Sequence, residues 1–236
     1  MLVIVFLVAL GLATVAGPVF AADATALIAL VAGLACLVQA VRRSGPERMT
    51  WTGLGLAMLA GSLGYGAAAG NLPGAGYFGL VAVLGSGLFA LPVLQRTRIA
   101  VLRAALDTLL VAVSLLMLSV NFVILPSIAA GATSIAHPVA DIVLATVALT
   151  ALAGYHRDYP SARSMVVINS GLVLVAVADS ATYRLTATGA AEWVTVPAGL
   201  VFAGFAMILL AVLESMGGAS STSSLPTAEG TIAALV

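Results

Sequence analysis

Three groups of polar or ionisable residues stand inside otherwise apolar runs, and they are where this chain has the means to do chemistry. His137-Pro-Val-Ala-Asp141 puts an imidazole and a carboxylate four residues apart, hence on one helix face. Such a pair can titrate near neutral pH and sense protons or a metal. N-terminal capping is the plainer account, because Pro138 suits a first helical turn and Asp141 suits the positive end of the helix dipole. Val177-Ala-Asp179-Ser-Ala-Thr-Tyr183-Arg184 holds a second carboxylate, which Tyr183 or Arg184 can satisfy locally. Should the two segments pack as antiparallel neighbours, His137, Asp141, Asp179 and Tyr183 converge in a small polar pocket. The third group, Arg103, Asp107, Ser114 and Asn121, lies along one stripe of a helix. An Arg-Asp anchor at a membrane boundary explains its beginning, and a stripe lining a polar cavity is the alternative. An ionisable group in hydrocarbon costs a few kcal/mol or more, so each group is expected to face a partner or water.

The elements that must position these residues are membrane helices. Of 236 residues, 62% are hydrophobic and 8% charged, far from the roughly 25% charge of a soluble domain. The apolar blocks run near 20 residues, enough to cross a bilayer. The expected fold is therefore all-α, a polytopic transmembrane bundle of about eight helices, with spans near 2–20, 24–41, 51–70, 76–94, 104–125, 138–155, 164–183 and 194–213. In domain terms, 1–214 reads as the bundle and 215–236 as a flexible cytoplasmic tail or linker rich in Gly, Ser, Thr and Pro. No connection exceeds about a dozen residues, so none holds a folded domain. Val19-Phe20-Ala21 resembles a small-residue cleavage site, against which stands the lack of a basic n-region; an uncleaved helix is expected.

All nine basic residues are arginine. Without lysine there is no Schiff base to retinal or pyridoxal phosphate. The zero net charge leaves no footprint for nucleic acid. Cys36 is alone and forms no internal disulfide or thiolate cluster. His137 and His156 fall at opposite membrane faces, which removes a bis-His haem, and no cofactor or metal is expected. Arg42, Arg43, Arg48, Arg96, Arg98, Arg103, Arg157 and Arg163 border alternate connections, and Arg184 alone falls on the other side. The positive-inside rule places the arginine-rich connections, and with eight spans both termini, in the cytoplasm. Gly53, Ala57 and Gly61, continued by Gly66 and Gly70, form a small-residue stripe for close helix packing.

No HExxH, GxSxG, P-loop or paired Asp-rich motif occurs, so an enzyme is not expected. Arg103-Ala-Ala-Leu-Asp107, Asn121 to Pro126, His137-Pro-Val-Ala-Asp141 and Val177-Ala-Asp179-Ser-Ala-Thr-Tyr183, in that order, resemble a family. It is the multi-span integral membrane sensor region that precedes GGDEF and EAL domains, the makers and degraders of cyclic di-GMP, in bacterial signalling proteins. The resemblance spans about residues 95–215. Members often carry Trp where Asn121 stands and an aromatic where His137 stands. The resemblance implies a sensor or signal-relay region of the bacterial inner membrane, with no catalysis of its own and a cytoplasmic output domain or partner. The alternative is a small transporter or permease using Asp107, Asn121 and Asp179, and a lipid-modifying enzyme with intramembrane aspartates comes third.

Overall fold

The computed structural model describes residues 2–67, 98–132, 135–154 and 162–218, and among these there is no strand. The helices are α1 (Leu2–Arg42), α2 (Gly45–Ala67), α3 (Arg98–Ser119), α4 (Leu125–Ala129), α5 (Ala136–Gly154), α6 (Ala162–Ala187) and α7 (Thr195–Gly218). Four stretches are long and apolar enough to cross a membrane: Asp23–Arg42, Ala105–Ala129, Arg163–Ala187 and Thr195–Gly217. The apolar part of α5, Ala136–Leu152, is shorter. Helix α2 opens on the polar Glu47 and Arg48 and stands outside this set. The predicted span at 76–94, Arg96, Arg157, His156, Gly70 and most of the predicted tail lie outside the described residues.

One correction concerns the beginning of the chain. The turn expected between spans at 2–20 and 24–41 is absent, and α1 runs unbroken for 41 residues, about 60 Å at 1.5 Å per residue. Ala21-Ala22-Asp23-Ala24 offers no glycine, asparagine or proline to leave helical geometry, and alanine is the best helix former. The two predicted spans fall within one helix, so the turn counted between them toward eight spans is missing.

True reversals carry turn chemistry. Gly45, Gly131 and Gly189 all adopt positive φ, at 61°, 96° and 77°, where a side chain is strained. After α4, Ala132 N–H donates to Ser127 O and Gly131 N–H to Ile128 O, the paired bonds of a Schellman motif. Helix α6 ends likewise, with Ala190 N–H on Leu185 O and Gly189 N–H on Thr186 O. Between α3 and α4, Val120–Ile124 widens into a π turn, and Leu125 N–H donates to Val120 O. Pro126 accounts for it: its ring has no N–H and crowds the carbonyl four residues back.

Packing runs in series. Helix α2 lies on α1, α1 on α7, α7 on α6, α6 on α5 and α5 on α3. The core comprises Cys36, Trp51, Met58, Leu144, Ile168, Leu172, Val175, Phe205, Ile208 and Val212 with many alanines. Helix backbones approach closely at glycines. A Cβ on Gly171 would lie 2.7 Å from Gly204 O, and one on Gly33 would lie 3.0 Å from Gly55 O. Gly53, Ala57 and Gly61 are buried as well. With no water between helices in lipid, such contact supplies association that the hydrophobic effect cannot.

The series fixes two ends. Gln39 Nε2 donates to Ser215 O at 3.1 Å and to Ser215 Oγ at 3.2 Å, so α1 and α7 finish side by side. Arg43 Nη1 pairs with Glu47 Oε2 at 3.2 Å across the α1–α2 turn. The starts of α3 and α6 belong to this arginine-rich end. At the far end lie the α4–α5 and α6–α7 turns, with Arg184.

Candidate functional site

Helices α5 and α6 are antiparallel neighbours, and their far-end segments carry the two Asp-containing motifs. Asp141 sits one turn into α5, with Pro138 buried in that first turn. Only 3% of Asp141 is exposed. Its Oδ2 accepts a hydrogen bond from Ser180 Oγ of α6 at 2.7 Å, an ordinary length for a hydroxyl donor. Asp179, the residue before Ser180, lies near enough to act electrostatically on Asp141. Away from water such interactions are several times stronger than at a surface. The structure therefore brings Asp141 and Asp179 together across one helix pair. His137 and Tyr183 are half-buried at the same end, and both have interaction partners, as does Asp179.

The α3 stripe is placed elsewhere. Asp107, Ser114 and Asn121 are all exposed. Ser114 Oγ donates to Leu110 O at 2.8 Å and Asn121 Nδ2 to Met117 O at 2.7 Å, so both are bonded to their own helix. Of Arg103 only the helical position is described. The half-buried Leu115 and buried Ser119 mark the packed side of α3, turned about 80–160° round the helix from the stripe. Asp107 and Asn121 therefore do not join Asp179 in one site.

Several buried polar groups escaped the sequence reading. Ser180 carries no signal of its own beside Asp179 in the sequence. Gln39 ties α1 to α7, and Asn169, fully buried in α6, donates to Met165 O at 2.8 Å. Gln39 Oε1, Asn169 Oδ1, Ser119 Oγ and Ser127 Oγ are buried without a hydrogen-bond partner among the described residues. The available signal was a lone amide in an apolar run, the kind of residue that bridges membrane helices. Cys36 is fully buried. Among the described residues no group of three or more His, Cys, Asp or Glu side chains is placed to hold a metal.

Chemically, the far-end site is a buried carboxylate, a hydroxyl donor and a second carboxylate spanning a helix interface. Two ionised carboxylates there repel, and a proton, cation or hydrogen-bond donor between them relieves the repulsion. The charge state of the site is thus tied to how α5 packs on α6. No protein-family model matches the chain, and neither a curated protein nor a solved structure matches it significantly.

Proposed function

We propose that this chain is a sensory or signal-relay region of the bacterial inner membrane, lacking a catalytic output of its own. The observation that carries the reading is the Ser180–Asp141 bond with Asp179 beside it, a charge-sensitive contact between two helices. A stimulus binding there acts only through differential affinity for two packings of α5 and α6. Helix α6 meets α7 backbone to backbone at Gly171 and Gly204, and α7 ends beside α1 through Gln39 and Ser215. That series offers a mechanical route from the far end to the arginine-rich end. The positive-inside rule supports a cytoplasmic arginine-rich end and a cytoplasmic end of α7. The sensor-family resemblance described above supports the same assignment, with an output domain or partner beyond α7. Helices α2 and α5 join the four long apolar stretches in the bundle, with α1 counted once.

The test is a distance measurement across the arginine-rich end. Arg163 and Glu214 are both exposed there. Spin labels at Arg163→Cys and Glu214→Cys, in lipid nanodiscs, report the spacing of the α6 start and the α7 end. Relay predicts that Asp141→Asn, which removes the charge and keeps the shape, shifts the distance distribution. Superimposable distributions with and without Asp141→Asn would refute it.

A further inference from the structure

Helix α1 is longer than a membrane needs. It runs unbroken from Leu2 to Arg42, about 60 Å at 1.5 Å per residue, against the roughly 30 Å of a bilayer's hydrocarbon core. Its neighbour α7 shows where the surplus lies. The two helices pack on each other and finish side by side through Gln39 and Ser215, so they run in the same direction. Thr195, where α7 begins, is 20 residues before Ser215, and 20 residues before Gln39 is Val19. Val19 is thus about level with the far boundary of the bundle, and the apolar crossing stretch starts just after it, at Asp23. Leu2 to Pro18 continue about 25 Å beyond. A Cβ on Gly11, which is exposed midway along that extension, would meet nothing within 4 Å. Thr14 is its only polar side chain. A helix this apolar belongs in hydrocarbon, not in the water or headgroups past the far boundary.

The chain has a place to shed that surplus. Val19-Phe20-Ala21, at the boundary itself, has the pattern a leader peptidase reads just before the bond it cuts. No basic residue precedes the apolar core, so recognition rests on that core and the triplet. Gly17-Pro18 lies immediately upstream, and an interior proline leaves Thr14 O without its helical donor. The helix opens most readily there, into the extended form a peptidase binds. With the arginine-rich end cytoplasmic, as proposed above, the far boundary faces outward, the side on which leader peptidases work. An uncleaved chain needs a turn near Asp23 to keep residues 2–20 in lipid, and α1 has none. We propose that residues 1–21 are a leader, removed by hydrolysis of the Ala21–Ala22 peptide bond. Water adds across that bond, leaving a carboxylate on Ala21 and an amine on Ala22. The remaining α1 is a single crossing matched in length to α7. The inference uses the proposed orientation and is independent of the sensor reading.

The test is the N-terminus of the full chain, tagged at its C-terminus, expressed in bacteria and purified from membranes. Terminal sequencing and intact mass are expected to find Ala22 first. Ala21→Phe, which puts a bulky ring beside the cut bond, is expected to keep residues 1–21. Ala13→Phe, the same change inside the apolar core, is expected to be processed like the parent. A parent chain that retains residues 2–21, or an Ala21→Phe chain still beginning at Ala22, would overturn the cleavage. Orientation is read separately in spheroplasts, with buried Cys36 left in place. Arg48→Cys, at an exposed position of the arginine-rich end, should resist a membrane-impermeant maleimide until the membrane is opened. Trp193→Cys, at a far-end position 61% exposed, should react at once. Reversed labelling would overturn the orientation and the cleavage with it; the expected labelling of an uncut chain would overturn the cleavage alone.

Discussion

Gly204→Ala forces α6 and α7 apart, and the structure sets the size of the effect. The added Cβ would lie 2.7 Å from Val175 Cγ2 and 2.8 Å from Gly171 O, whereas ordinary contact begins at 3.4 Å. The shortfall is about 0.6–0.7 Å, in a core whose packing leaves little slack. Val175 is itself buried, and a backbone oxygen moves only if its helix moves. Overpacking of this kind costs about 1–3 kcal/mol, and alanine's better helix propensity returns up to about 1 kcal/mol. The net expectation is a loss of about 1–2 kcal/mol, or roughly 2–8 °C for a chain of this size. Cys36, the single cysteine and fully buried, is an internal reporter. A thiol-reactive fluorophore labels it only as the bundle melts. Gly217, with nothing within 4 Å of its Cβ position, provides the control, and Gly217→Ala should melt with the parent chain. A Gly204→Ala protein melting at or above the parent would refute the close-approach argument.

The same melting assay reads three more substitutions. Gly55→Ala meets Leu37 Cγ and Cδ2 at 2.9 Å and Gly33 O at 3.0 Å; each contact is looser than its counterpart at Gly204, so its loss should be smaller than that of Gly204→Ala. Ser180→Ala deprives Asp141 Oδ2 of its hydroxyl donor and should cost about 0.5–1.5 kcal/mol, the net worth of one hydrogen bond; Ser180→Thr should retain most of the stability, and equal losses for both would contradict the bond. Gln39→Leu removes the bonds to Ser215 but also the unpartnered Oε1, so it should stay within about 1 kcal/mol of the parent. Gln39→Ala leaves a cavity as well and should cost about 2 kcal/mol or more; a Gln39→Leu protein no more stable than Gln39→Ala would show the amide bonds to dominate.

What the sequence made legible was whatever depends on composition or on positions a few residues apart. Helical class follows from the apolar blocks, and the four long apolar stretches match the predicted spans at 24–41, 104–125, 164–183 and 194–213 within a few residues. The missing turn near Asp23 shows the limit of a hydropathy window: it registers a polar residue, while backbone continuity depends on whether neighbours such as Ala21 and Ala22 favour a turn. Of the far-end residues, Asp141 and Asp179 stood out because charge in an apolar run is costly. Ser180 did not, since a serine there can bond its own helix and only the tertiary fold chooses otherwise. Gly171 and Gly204 are invisible as a pair because the α6–α7 crossing that joins them lies outside any local pattern. The α3 stripe was legible as a stripe; its outward direction was not, because periodicity does not say which side of a helix has neighbours.

The arrangement on which this account rests is the Ser180 hydroxyl against the Asp141 carboxylate, at 2.7 Å between α5 and α6. Paired substitution Asp141→Cys with Ser180→Cys, oxidised in native membranes and mapped by mass spectrometry, tests it most directly. A high yield of a 141–180 cross-link within one chain is expected, and none for Asp107→Cys with Ser180→Cys. Two free thiols at 141 and 180 in a protein whose Cys36 remains shielded would contradict it.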